Sequence, residues 1–289
     1  MTNTISSLKK KNSSSTDKLK KAIEQLKTNA VQKDDRFWQP EVDKAGNGYA
    51  VIRFLDTPHV DGDEGLPYVR IWSHGFQGPG GWYIENSLTT LNLPDPVSEY
   101  NSILWNSGVE ANKKIARDQK RKLNYISNIL VINDSAHPEN NGKVFLFKYG
   151  KKIFAKIDEL LNPQFQDEES INPFDFWEGA NFKLKIRNLD NYRNYDKSEF
   201  DKPSPVASSD EEIEKLWKKE HSLLELVSSA NFKTYDQLKD RLDKVLGNGK
   251  TVNTEHSVAT EPVAETPAMS LDVDSDDEDM LNFAKLANE

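Results

Sequence analysis

The chain has 289 residues, a formal net charge of −9, 36% hydrophobic and 29% charged content, and no cysteine; its mean hydropathy is −0.74. Disulfides and cysteine-ligated metal are excluded, and no apolar run approaches the ~20 residues a bilayer span requires. The start, MTNTISSLKKK, has no apolar export core, so a cytosolic location is expected.

The charge is unevenly placed. Residues 251–289 carry net −9, and the 250 residues before them sum to zero. Within those, residues 1–33 hold eight lysines against Asp17 and Glu24. A basic head, a mixed body and an acidic tail point to a polyanionic partner and to an internal competitor for it.

In chain order, KKKNSSSTDKLKKAIEQLK leads with a basic arm. Leu19, Ile23, Leu26 and Ala30 then recur at helical spacing. From 36 to about 206 the pattern is mainly β, with strands expected at 49–55, 68–76, 81–85, 125–132, 143–149 and 181–189. AGNG (45–48), QGPGG (77–81) and PENNG (138–142) supply turn signals between them. KKIFAKIDELL (151–161) reads as a helix. Two more are expected, at 209–229 after the capping pair Ser209–Glu212 and at 234–247 after Thr234–Gln237, with Gly247 as its stop. Beyond 248 the acidic composition predicts disorder, with DMLNFAKLA (279–287) as a short amphipathic exception. The expected fold class is mainly β with helices (α+β), a small barrel with elaborated loops and C-terminal helices.

No phosphate loop, HExxH or GxSxG motif is present, and the five histidines are scattered. Aromatics, in contrast, sit beside cations: Trp105 in ILWNSG, Tyr125 after Lys120, Arg121 and Lys122, Tyr149 before a lysine pair, and Tyr192 and Tyr195 in NLDNYRNYD. Single-stranded nucleic acid needs this pairing, because cations track phosphates while flat rings stack on any base, each stack contributing ~1–3 kcal/mol. In NFKLKIR, Lys183, Lys185 and Arg187 alternate with an apolar face. Rival readings are an acidic interaction scaffold or chaperone acting through the tail, and, ranked last, a metal-dependent nuclease using the DSDDED carboxylates.

Several stretches resemble the single-stranded DNA-binding proteins of T-even type bacteriophages: AGNGYAVIRFL (45–55), HGF and GWYIE (74–85), KRKLNYISNILVI (120–132), PENNGKVFLFKYGKKI (138–153), WEGANFKLKI (177–186) and NYRNYDKSEF (191–200). The resemblance implies an OB-fold core with a basic, aromatic-lined cleft. It implies DNA contacts from Arg53, Lys120, Arg121, Lys122, Tyr125, Phe147, Tyr192 and Tyr195, and more weakly Trp105. The pattern of the residues adds Tyr149, Lys183 and Lys185.

The resemblance further implies an arm (1–35) for cooperative self-association, with Lys9, Lys10, Lys11, Ser13 and Ser14 matching the family's basic run. After the core (36–247) comes a tail (248–289) that recruits polymerase, helicase loader, primase and recombination mediator, here through Asp274, Asp276, Asp277, Glu278, Asp279 and Phe283. The setting would be replication, recombination and repair in the cytoplasm of an infected bacterium. The family's zinc, on one His and three Cys, is expected to be lost. His74 matches the histidine, but residues 86–100 contain no cysteine, so Leu88, Leu91, Leu93, Val97 and Tyr100 are expected to hold that region instead, with no cofactor.

Overall fold

The computed structural model describes residues 34–165, 167–189 and 192–247. The expected arm helix, the self-association residues and the acidic tail lie outside these. The chain divides into two units after Phe37. Of the first, only residues 34–37 are described, with Arg36 paired to Asp34 at 2.9 Å. The second carries the fold.

The strands are β1 (Phe37–Trp38), β2 (Gly48–Phe54), β3 (Val69–Gly78), β4 (Gly81–Asn86), β5 (Lys122–Asp134), β6 (Val144–Tyr149), β7 (Ala180–Leu189), β8 (Tyr192–Asn194) and β9 (Glu199–Pro203). The helices are α1 (Pro96–Asn106), α2 (Glu110–Asp118), α3 (Lys151–Leu161), α4 (Asp210–Trp217) and α5 (Tyr235–Val245). The architecture is mixed α/β, built on a large antiparallel sheet in which β6, β5, β2, β7 and β8 lie side by side.

Two long strands organise it. One edge of β5 serves two partners: β2 pairs along 129–134 and β3 along 122–126, while β6 takes the other edge. The outer edge of β7 is likewise shared by β9 and β8. No pairing joins β6 to β8 or β9 among the described residues. The sheet nevertheless curls. The Phe54 ring on β2 lies 6.5 Å from Phe147 on β6 and 6.3 Å from Phe200 on β9. Each of those strands is two steps away, about 9.6 Å in a flat sheet.

The curl encloses the main core. Phe182, Leu184 and Ile186 of β7 alternate inward, as their period predicts, and meet Ile52 and Phe54 of β2, Ile129 and Val131 of β5, and Ile153 and Ile157 of α3. A second cluster joins Phe76, Tyr83, Leu88 and Val97 to Leu238, Leu242 and Val245 of α5. The hairpin 77–81 is one edge of that contact. A Cβ on Gly80 would stand 1.9 Å from the Lys244 carbonyl oxygen, and the Gly80 amide donates to Val245 O at 2.8 Å, an approach only glycine permits.

Three expectations are corrected. The helix expected over 209–229 ends at Trp217, because His221 leaves it to pair with a strand side chain: Asn128 Nδ2 donates to His221 O, and His221 N donates to Asn128 Oδ1. Asp61 then accepts the Leu223 and Leu224 amides. Helices α1 and α2 stand in the stretch 36–206, which was expected to be mainly β with a helix only at 151–161; Asp95 caps α1 and Pro96 is in its first turn. Leu93 is 50% exposed and does not hold its subdomain, unlike Leu88 and Val97. The Thr234–Gln237 capping box forms as expected.

Candidate nucleic-acid interface

The opening of β5 carries Lys122, directly after Lys120 and Arg121, and pairs with β3: Ser73 faces Lys122, Trp72 faces Leu123 and Arg70 faces Tyr125. Cross-strand partners project to one side of a sheet and alternate along it. The cation run is therefore split, with Arg121 on the side of Trp72, Arg70 and Tyr125, and Lys122 on the other. The Arg121 guanidinium lies 4.2 Å above the Trp72 ring, a cation–π arrangement. Arg70 is exposed. Burial raises the Tyr125 phenol above its ordinary value, with the charges of Arg70 and Lys151 opposing and those of Tyr68 and Asp158 adding to the rise. A second station lies just upstream, where Trp105 is flanked by Lys113 at 5.8 Å and Arg117 at 5.2 Å. Arg70 and Trp72 were missed in the sequence, although the alternation R-x-W in YVRIWSHGF carried the signal.

Other expected contacts are placed differently. Arg53 is fully buried, and its Nη2 donates to the carbonyls of Asp175 and Ser204 at 2.8 and 2.9 Å. Burial lowers it to about 10, against the raising influence of Asp175. It ties two loops to β2 and reaches no surface.

Tyr125, Phe147 and Tyr149 are core residues, 7%, 4% and 3% exposed. Phe154 stacks on Tyr125 with centroids 3.9 Å apart, Tyr149 stacks on it at 5.8 Å, and the Tyr149 and Ser127 hydroxyls are hydrogen bonded. Tyr125 has no open face for a base, because the Phe154 ring covers it. Tyr195 packs on the same core, while Tyr192 is half-buried opposite Leu189 in the β7–β8 hairpin.

Lys183, Lys185 and Arg187 do face outward, but each meets a carboxylate: Asp201 at 2.8 Å, Glu199 at 2.7 Å, and Asp196. The stripe is locally neutralised and offers no excess charge to a phosphate.

The implied zinc can be tested against the residues around His74. Its Nδ1 donates to Gln119 O at 3.0 Å, and its Nε2 stands 3.3 Å from Asp95 Oδ1 without hydrogen-bond alignment. Asp95 Oδ1 accepts the amides of Val97 and Ser98, and Oδ2 accepts Ser87 Oγ and the Leu88 amide. Four donors fill the four lone-pair positions of a carboxylate. Burial alone would raise Asp95, yet His74, the Ser98 amide and Ser87 hold it down to about 2. Structural zinc takes four nitrogen, sulfur or carboxylate ligands. One histidine beside a saturated carboxylate does not fit it.

Cations lie over two indole rings, Trp72 and Trp105. A family model described as gp32 DNA binding protein like matches residues 46–246. Among curated relatives, the single-stranded DNA-binding protein of Enterobacteria phage T2 is 36% identical over 252 residues, covering 85% of this chain and 78% of the relative. That of Enterobacteria phage T4 is 38% identical over 217 residues, 73% and 70% of the two chains. A shorter match, 45% over 67 residues, joins 22% of this chain to 57% of the single-stranded DNA-binding protein of Escherichia phage SV14. The chain belongs to the gp32-like family of phage DNA-binding proteins, which are binding proteins and not enzymes.

Proposed function

We propose that this protein binds single-stranded DNA without sequence preference, along the β3–β5 face. The observation that carries the reading is the Arg121 guanidinium stacked 4.2 Å over Trp72, next to exposed Arg70 on the same face. Such a strip offers rings for bases and fixed cations for phosphates, and the phosphate contacts release counterions. Trp105 with Lys113 and Arg117 is a second cation–ring station, whereas Lys122 lies on the opposite side of the sheet. Tyr192 is a candidate ring at the far hairpin. The curled sheet is read as an OB-type barrel, and no cofactor is required.

The remaining roles rest on the sequence. The head, through Lys9, Lys10, Lys11, Ser13 and Ser14, joins successive copies cooperatively along the strand. The tail competes with DNA for the basic face and, once displaced, recruits replication, recombination and repair proteins in the infected cell. Titration of the full chain with fluorescent oligo-dT at several salt concentrations tests the reading: micromolar or tighter binding with a steep negative dependence of log K on log [salt] is expected. Failure to bind at low salt overturns it.

A further inference from the structure

The family resemblance places a metal on one histidine and three cysteines, and the structure shows what stands there in this chain. In the cysteine-free stretch 86–100, one residue stands at His74 and two more are bonded to that residue. Asp95 is 3.3 Å from its Nε2, Ser87 Oγ donates to Asp95 Oδ2 at 2.9 Å, and the Ser98 amide donates to Asp95 Oδ1 at 3.0 Å. Ser87 and Asp95 are both buried. Ser98 Oγ is buried with no hydrogen-bond partner among the described residues, a hydroxyl that nothing in the fold uses.

One histidine from a strand and three side-chain positions from one following segment form the topology of a four-ligand metal site. We infer that His74, Ser87, Asp95 and Ser98 occupy the ligand positions of a lost metal centre, and that a hydrogen-bonded carboxylate has replaced the metal with inverted polarity. A metal site surrounds a cation with anionic thiolates. Here an anion, the Asp95 carboxylate, sits at the focus and is surrounded by donors: Ser87 Oγ and the amides of Leu88, Val97 and Ser98. The mechanical task is unchanged, because the node still joins β3, the turn after β4 and the start of α1.

The node also reaches the proposed interface, and this part rests on that reading. The Gln119 carbonyl accepts both His74 Nδ1 at 3.0 Å and Asn101 Nδ2 at 3.2 Å, and Gln119 directly precedes Lys120, Arg121 and Lys122. A centre that once held a metal now fixes where the cation run begins.

The test uses the full chain expressed with excess zinc in the medium. Elemental analysis is expected to find no stoichiometric zinc, and Tm is expected to be unchanged by EDTA. One zinc per chain whose removal lowers Tm overturns the proposal. The triple variant Ser87→Cys, Asp95→Cys, Ser98→Cys is expected to take up one Co(II) with the visible absorption of a tetrahedral, sulfur-rich site, and to acquire an EDTA-sensitive Tm. Unfolding without metal and refolding on its addition counts as the same result. A soluble variant that takes up no cobalt, or one that stays unfolded with and without metal, overturns the positional assignment. These readings need no DNA, so they stand or fall separately from the proposed interface.

Discussion

Glu220 is 6% exposed, and neither of its carboxyl oxygens has a hydrogen-bond partner among the described residues. Burial, together with the charges of Asp56 and Asp61, pushes it up to about 9 from an ordinary 4.5. A carboxyl raised on folding contributes its full stability below its unfolded value and loses it as pH climbs towards the folded one. Stability should therefore decline between about pH 4.5 and 9, and at pH 7 keeping the group neutral costs on the order of 3 kcal/mol. Glu220→Gln retains the shape without the proton, so chemical denaturation should show a more stable protein at pH 8 with the alkaline decline flattened. An unchanged slope would mean that Glu220 is ionised in the fold. Arg53 gives a different prediction at the same scale. Arg53→Ala strands the Ser204 carbonyl, leaves Asp175 O with the Gly179 amide as its remaining donor, and opens a cavity, so it should lower stability by roughly 2–4 kcal/mol. The salt dependence of oligonucleotide binding, measured well below Tm, should not change.

At the scale of elements, the β3–β4 hairpin is pressed onto the end of α5 so closely that Gly80→Ala should cost about 1–3 kcal/mol, read as a drop in Tm; a neutral result would mean that hairpin and helix do not touch. The sequence was most legible where a single period governs the element. The alternation of β7 predicted both its buried row and its outward cations, and α3 formed over 151–161 as its spacing required. It was least legible where distant segments decide. Arg53 lies between Ile52 and Phe54, and the period of a strand turns it away from the main core. It does not say that Leu55, Phe176 and Ile213 form a third cluster on that other side, which leaves β2 covered on both faces. The overlong 209–229 helix failed for a related reason, since the residue that interrupts it, His221, is bonded to Asn128 from 93 positions away. Tyr125 was misplaced by its neighbours in sequence: three cations just before it suggested a surface, while Tyr149, its partner on β6, is a core ring.

At the scale of the whole molecule, the proposed binding face draws its charge from a few residues in a chain of net charge −9. Arg121→Ala should reduce the salt slope of oligo-dT binding by about 0.7 per lost phosphate contact. Trp72→Ala should weaken binding by ~1–3 kcal/mol and leave the slope nearly intact. If both variants bind as the parent does, the strand runs elsewhere. Deletion of 251–289 removes nine net negative charges and should tighten binding to long single strands, measured by the same titration at fixed salt; an unaltered affinity would remove the tail as a competitor.

The ladder of matched charges along β7 has a consequence for crowding. Lys183, Lys185 and Arg187 each answer a carboxylate across the strand edge, so that flank is electrically mute. A molecule with one attractive side and one silent side can line up in a dense row on a single thread without knitting neighbouring threads together. If the proposed binding holds, sidedness of this kind would keep a coat from turning into a net.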